Sequence, residues 1–445
     1  MTNTSVRDWL TLPVEGRRER AREAIAAARA ARESHGIFIS VVEDDAPLPG
    51  EGALAAVPYS VKDNVDVAGL ATTGGSPVLE GSCPQVDASV ISALRSEGAV
   101  AIGKSNLHEF AFGTTSNNRY FGAVRNPHDP TRTAGGSSGG SAASVALGTV
   151  PFGVGTDTGA SVVAPAALCG IVGYRPSTGR YLSDGVIHLC WTRDTIGLHA
   201  NTVDDIRLLD GVIARRTPVP GPPPAPGDLR LGVARSRFDD LQTEVADAMD
   251  EALSKLTKAG VTLTDVDVPD SGKLNDEGFP MVFFETYRNV LDYFAHLESG
   301  FAELSFEQIA ERTGSPDVTA IFRQIAARDV TPAQYAAANE SRNELRARYQ
   351  RTFAESGVDG LIFPTAPYLA NELGNDLTIT YDGVERDLFP VATRNVGPGG
   401  LAGAPQVSLP VTRTRGALPT GLTLEGPIGG DDRILVLAEV LEGLI

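Results

Sequence analysis

Residues 135–176 read GGSSGGSAASVALGTVPFGVGTDTGASVVAPAALCGIVGYRP. Small residues are denser here than anywhere else in the chain, and short apolar segments at 142–147 and 150–154 interrupt them. A flexible glycine–serine linker would carry no such segments. They read as a helix and a buried strand. The stretch is therefore read as loops held by regular elements, where backbone must come close to a ligand. Working outward, residues 141–148 predict a helix, 151–155 a strand, 164–169 a short helix and 171–174 a strand. This alternation predicts an α/β fold, a sheet with helices on its faces.

The flanking chain extends the pattern. Residues 6–35 predict helix, broken near Pro13, and 36–42 a strand. Residues 54–61 predict another strand that delivers Lys62-Asp63-Asn64, with Pro58 marking an edge or a bend. A helix is expected at 87–97, a buried strand at 99–102 and a loop at 122–136. A proline-rich connector (217–227, TPVPGPPPAPG) precedes a strand at 229–234. Residues 243–356 predict a mostly helical subdomain over the site, with aromatics at Phe283, Phe284, Tyr287, Tyr293, Phe294 and Phe301. β character returns at 358–367 and 404–411, and 431–444 closes the chain as a helix.

With 445 residues the chain is long for a single core, so one large domain with a subdomain, or two domains, is expected. A net charge of −18 argues against nucleic-acid and anionic-membrane partners. The three cysteines (Cys83, Cys169, Cys190) have no metal-like spacing and read as reduced thiols of a cytoplasmic protein. No apolar run is long enough to span a bilayer, and the first residues carry no signal-peptide pattern. Only five of the 38 basic residues are lysines, at 62, 104, 255, 258 and 273. A position that keeps lysine in so arginine-rich a chain can need a cation able to lose its proton.

Three motifs compete. Residues 98–105 (GAVAIGKS) match the phosphate-loop pattern, but the segment between the glycines is itself a predicted strand and a helix precedes it, the reverse of that motif's context. Residues 136–140 (GSSGG) match the nucleophile elbow of α/β-hydrolases, which needs a histidine late in the chain; none follows His296. The third reading needs no histidine: Lys62, Ser137 and Ser161. A serine hydroxyl is a weak nucleophile until a neighbour takes its proton. A buried lysine can be neutral and do so. On residue type alone Lys62 could equally pair with Asp63 or Asp66, and the serines could cap backbone.

The run GGSSGGSAASVALG, followed by GTDTGASVVAPAALCGIVGYRPS, resembles the signature of the amidase signature family. That family's serine–cis-serine–lysine triad has a fixed spacing, and the 75 residues from Lys62 to Ser137 and 24 from Ser137 to Ser161 match it. The resemblance continues through PYSVKDN, GAVAIGKSNLHEFAFGTTSNN, GLAGAPQVSLPV and GLTLEGP, and is weakest from about 240 to 355. It implies one amidase domain over residues 1–445, with a central twisted mixed sheet flanked by helices and a core at about 36–235 and 357–445. It also implies an amide hydrolase in which Ser161 is the nucleophile, Ser137 the bridging serine on a cis peptide with Gly136 or Ser138, and Lys62 the base. Backbone N–H groups of Thr158, Gly159, Ala160 and Ser161 would form the oxyanion hole, with Ser138 and Asp157 supporting. No metal or cofactor is implied.

Two positions depart from the family pattern. Gly159-Ala160-Ser161 replaces the frequent Gly-Gly-Ser, so Ala160 must have a φ open to alanine. Val163 stands where many members have arginine, which predicts a carboxylate nearby, Asp157 or another, without its partner. The run CGIVGYRPSTGRYLSDGVIHLCWTRDTIG looks most like the branch acting on aryl-substituted primary amides such as indoleacetamide or mandelamide. Phe112, Gly113, Thr114, Trp191 and Thr192 are its candidate pocket residues, a plain core tryptophan being the other reading of Trp191. A small-molecule amide is thus the expected partner, and since dimers are common in the family a homodimer is possible. A glutaminase-like amidotransferase subunit and a catalytically silent binding protein are the alternative functions.

Overall fold

The computed structural model describes residues 4–216, 223–411 and 417–445. Part of the proline-rich connector, 217–222, lies outside the described residues. Eleven strands form one mixed sheet. In chain order they are β1 (Phe38–Val41), β2 (Pro58–Lys62), β3 (Val100–Ser105), β4 (Phe152–Asp157), β5 (Val172–Arg175) and β6 (Thr195–Ala200), then β7 (Arg230–Val233), β8 (Thr262–Asp265), β9 (Gly360–Pro364), β10 (Gln406–Pro410) and β11 (Gly421–Glu425). Their spatial order is β1-β3-β2-β4-β6-β5-β10-β11-β9-β7-β8. β3, β2 and β4 run parallel, as do β9, β7 and β8, while the strands between pair antiparallel. β2, β4, β5, β6 and β9–β11 are buried along their whole length, because helices cover both faces of the sheet.

Most expected elements occur within a few residues of their predicted places, and the exceptions have causes. Pro58 does not mark an edge, though the pairing of β2 with β3 shifts register between Tyr59 and Ser60, just after it. It is the first residue of an interior strand, where its missing N–H costs least. The strand expected at 99–102 extends through Gly103, Lys104 and Ser105, so the whole phosphate-loop match is a turn and a strand. β6 is an element the sequence reading lacks, although Ile196, Leu198 and Ala200 alternate with Thr195, Gly197 and His199; all six residues are buried. The region expected to be helical from 243 begins with a helix, Thr243–Lys258, whose Val245, Met249 and Leu256 pack into the main core, and with edge strand β8. The helices Ser271–Gly278, Pro280–Ala295, Phe306–Arg312, Pro316–Ala326 and Pro332–Ser356 build a second hydrophobic cluster, which also takes in Phe110, Phe112, Ala160 and Val163. The cavity at Ser161 takes its lining from residues 111–114 and 158–161 and, from this helical region, Asn275, Phe279 and Val282. No helix among the described residues is long and apolar enough to cross a membrane.

Candidate active site

Parallel β2 and β4 set the site. Val61 lies opposite Val154, so the ends of the two strands bring Lys62 beside Thr156. Ligand sites in such sheets form beyond the carboxyl ends of the strands. Helix Gly139–Ala146 packs against β2, β3 and β4, and its N-terminal loop carries Ser137 to the same place. The approach is too close for side chains. A Cβ on Gly140 would lie 2.4 Å from Asn106 O, and one on Gly136 2.8 Å from the Thr115 nitrogen. The Gly136–Ser137 peptide is cis.

The Lys62 ammonium group is fully enclosed. Nζ donates to Ser137 Oγ at 2.7 Å, Thr156 Oγ1 at 2.9 Å and Thr156 O at 3.2 Å. None of these acceptors is a carboxylate. Burial therefore pushes its pKa down to about 7, although Asp157 and Asp194 pull the other way. Asn64 Nδ2 donates to Thr156 Oγ1 at 3.1 Å and steadies that hydroxyl. Asp63, which adjacency offered as a partner for Lys62, instead pairs with Lys104 at 3.0 Å; both side chains are fully buried.

β4 runs into the turn at 158–161. Among the described residues the N–H groups of Thr158, Gly159, Ala160 and Ser161 find no acceptor, whereas Val162 N–H donates to Asp157 Oδ2 at 2.7 Å. Ala160 is not among the residues with positive φ, so alanine fits there without strain. Ser138 N–H donates to Ser161 O at 3.1 Å and ties the two serine loops together. Ser138 Oγ donates to Thr156 O at 3.0 Å and accepts from Thr156 N–H at 3.3 Å. The Ser161 hydroxyl has no partner among the described residues and opens on a cavity. The expectation raised by Val163 holds in part: buried Arg175 brings Nε to 3.9 Å from Asp157 Oδ1, so a cation is near, but neither atom has a hydrogen-bond partner among the described residues. Val163 itself is buried in apolar surroundings.

The turn is braced by two residues that sequence reasoning passed over. Asp194 accepts from Thr158 Oγ1 at 2.7 Å and from the N–H groups of Leu189 and Cys190. Burial alone would raise its pKa, but hydrogen bonds and the facing His188 hold it below the usual carboxylate value. Arg193 Nε donates to Thr158 O at 3.0 Å. Buried Glu285, from helix Pro280–Ala295, takes Thr192 N–H, Thr192 Oγ1 and the Tyr335 hydroxyl, and so fastens the Arg193 loop to the helices.

The cavity above Ser161 is lined by Ala111, Phe112, Gly113 and Thr114, by the turn at 158–161, and by Leu189, Arg193, Asn275, Phe279, Val282, Phe389 and Thr393. Trp191 and Thr192 are not in this lining. Trp191 is 44% exposed, so it is neither a lining residue nor a core one, and Thr192 is engaged with Glu285. Among the described residues no group of three or more His, Cys, Asp or Glu side chains is arranged to hold a metal ion.

A family model described as Amidase matches residues 26–435. The chain is similar to an indoleacetamide hydrolase of Agrobacterium vitis, 39% identical over 396 residues, covering 88% of this chain and 84% of that protein. It is similar to a mandelamide hydrolase of Pseudomonas putida, 34% identical over 438 residues, covering 94% and 83%. A crystal structure of an amidase superposes with a TM-score of 0.85 at 27% identity, covering 99% of both chains.

Proposed function

The chain belongs to the amidase family and is a hydrolase of carbon–nitrogen amide bonds, and from that premise we propose that it cleaves a small aryl-substituted primary amide to a carboxylic acid and ammonia through an acyl-enzyme on Ser161. The observation that carries the mechanism is the buried Lys62 Nζ, 2.7 Å from Ser137 Oγ and facing no carboxylate in contact. Neutral Lys62 accepts the Ser137 proton while Ser137 accepts that of Ser161. Ser161 Oγ attacks the amide carbon, and the carbonyl oxygen becomes an oxyanion facing the free N–H groups at 158–161. One such donor is worth about 2.7–4 kcal/mol in other enzymes. Ser137 then returns a proton to the departing nitrogen and takes back the one held by Lys62. Ammonia leaves, and water repeats the sequence on the ester to release the acid and restore Ser161.

The aryl class is supported by the apolar wall of Phe112, Leu189, Phe279, Val282 and Phe389, and by relatives whose names specify indoleacetamide and mandelamide. Two measurements test the reading. A fluorophosphonate probe should label the native protein and not Ser161→Ala; equal labelling of both refutes Ser161 as the nucleophile. Ammonia release from indoleacetamide, mandelamide and phenylacetamide should be seen for at least one, and no turnover of any refutes the aryl class.

A further inference from the structure

Two buried polar atoms in the lining above Ser161 have nothing to bond. Arg193 is 3% exposed, and its Nη1 has no hydrogen-bond partner among the described residues. Asn275, 8% exposed, leaves Oδ1 in the same state, its Nδ2 being turned to Asp276 Oδ1 at 3.5 Å. Leaving a buried donor or acceptor unpaired is costly, so an unpaired group on a residue that lines a cavity is a candidate partner for a ligand's polar atom. The position of the guanidinium narrows which atom. Its Nε is bonded to Thr158 O, and a Cβ on Gly159 would meet Nη2 at 3.3 Å. It therefore lies along the same turn whose N–H groups face the scissile carbonyl. An acceptor that reaches it sits on the carbon next to that carbonyl, not at the far end of the aryl group. Charge narrows it further: Asp157 and Asp194 lie near both Arg175 and Arg193, and Glu425 and Asp431 also lie near Arg175, so these cations already have carboxylates about them and a neutral oxygen suits the site better than a further carboxylate. A hydroxyl oxygen is a neutral acceptor of the kind that Arg193 Nη1 lacks.

We propose that Arg193 is a specificity-determining residue whose Nη1 donates to a neutral oxygen on the α-carbon of the acyl group, so that the enzyme selects α-hydroxy aryl amides over their unsubstituted counterparts. This rests on the aryl-amide reading above. Mandelamide and phenylacetamide differ only in that hydroxyl and form the test pair. In the wild-type enzyme kcat/KM is expected to favour mandelamide by roughly 10- to 100-fold, the range for a hydrogen bond to a charged donor. In Arg193→Met the ratio collapses toward one even as both rates fall. A bracing role alone would lower both rates and keep the ratio, and the hydroxyl's inductive effect on the carbonyl is the same in both proteins. Dissociation constants of the two amides for Ser161→Ala, by calorimetry, should show the same preference without turnover. No preference in the wild type, or a ratio that Arg193→Met leaves unchanged, overturns the proposal. If the wild type turns over neither of these amides nor indoleacetamide the aryl-amide reading falls, and the binding ratio still decides the role of Arg193.

Discussion

Replacing Lys62 with methionine removes the buried amine and keeps most of the volume it fills. The Lys62 amine falls from 10.5 to about 7 in the folded protein through burial, with Asp157 and Asp194 opposing. His199, which also faces it, is itself pushed down to about 4 by burial and stays neutral above that. Between about pH 7 and 10.5 the unfolded chain holds a proton on this lysine that the folded one has lost, so stability rises with pH across that window. Below about pH 7 the folded protein bears the whole cost of a charged, buried amine, roughly 5 kcal/mol at 1.36 kcal/mol per pKa unit. From about pH 7 to about pH 9 the relief amounts to about 2 kcal/mol. Urea unfolding of wild type and Lys62→Met across that range should therefore show the wild type gaining about 2 kcal/mol on the variant.

The rate should report the same ionisation. Log kcat/KM for a substrate amide is expected to climb with unit slope to about pH 7 and then level, as the amine becomes the base. Lys62→Arg, whose guanidinium keeps its proton, should lose this limb and about 100-fold or more in rate. A stability difference that stays flat across the window, or a rate limb centred well away from the Lys62 value, would refute Lys62 as the neutral base.

Lys104→Met strands Asp63 as an unpaired buried carboxylate and should cost about 3–5 kcal/mol in urea unfolding; a loss below about 1 kcal/mol contradicts the ion pair's role. Ser138→Ala leaves the Thr156 N–H and C=O without the hydroxyl that serves both, and should destabilise by about 1–3 kcal/mol while lowering kcat. Val163→Arg restores a residue common in the family, yet Val163 is buried among apolar side chains and Arg175 already faces Asp157. Thermal unfolding should register a loss of about 4 kcal/mol or more, and an unchanged Tm would contradict this packing.

The stretch at 135–176 was legible because its composition is a steric record. Gly136 and Gly140 stand where a side chain would meet neighbouring backbone, so the close approach is written in residue type. The groups that shape the pocket left no such record. Arg193 is one arginine among many in this chain, and Asn275 and Glu285 arrive on helices more than a hundred residues after Ser161. Their meaning lies in what surrounds them, and no local pattern carries that. Trp191 misled for a related reason. Its size suggested burial, but the inward places in its loop go to Cys190 and Arg193, and the indole is left partly in solvent.

The two buried lysines show how far adjacency can be trusted. Lys62 and Asp63 are neighbours in the chain, and sequence alone offered them as an ion pair. Successive side chains at the end of an extended strand turn to opposite sides. Asp63 accordingly meets Lys104, from the neighbouring parallel strand β3, together with Thr73. Lys62 is left among hydroxyl and carbonyl oxygens. Each arrangement serves a different end. An ion pair anchors the loop after β2 and commits Lys104 to a carboxylate. The absence of a carboxylate in contact with Lys62 lets burial act on its pKa unopposed at close range. Moving a carboxylate into contact with Lys62, by Thr156→Asp, should therefore shift the limb of the rate profile to higher pH, because the new charge holds the proton on the amine. A limb that stays near neutrality in that variant would mean that something other than Lys62 titrates.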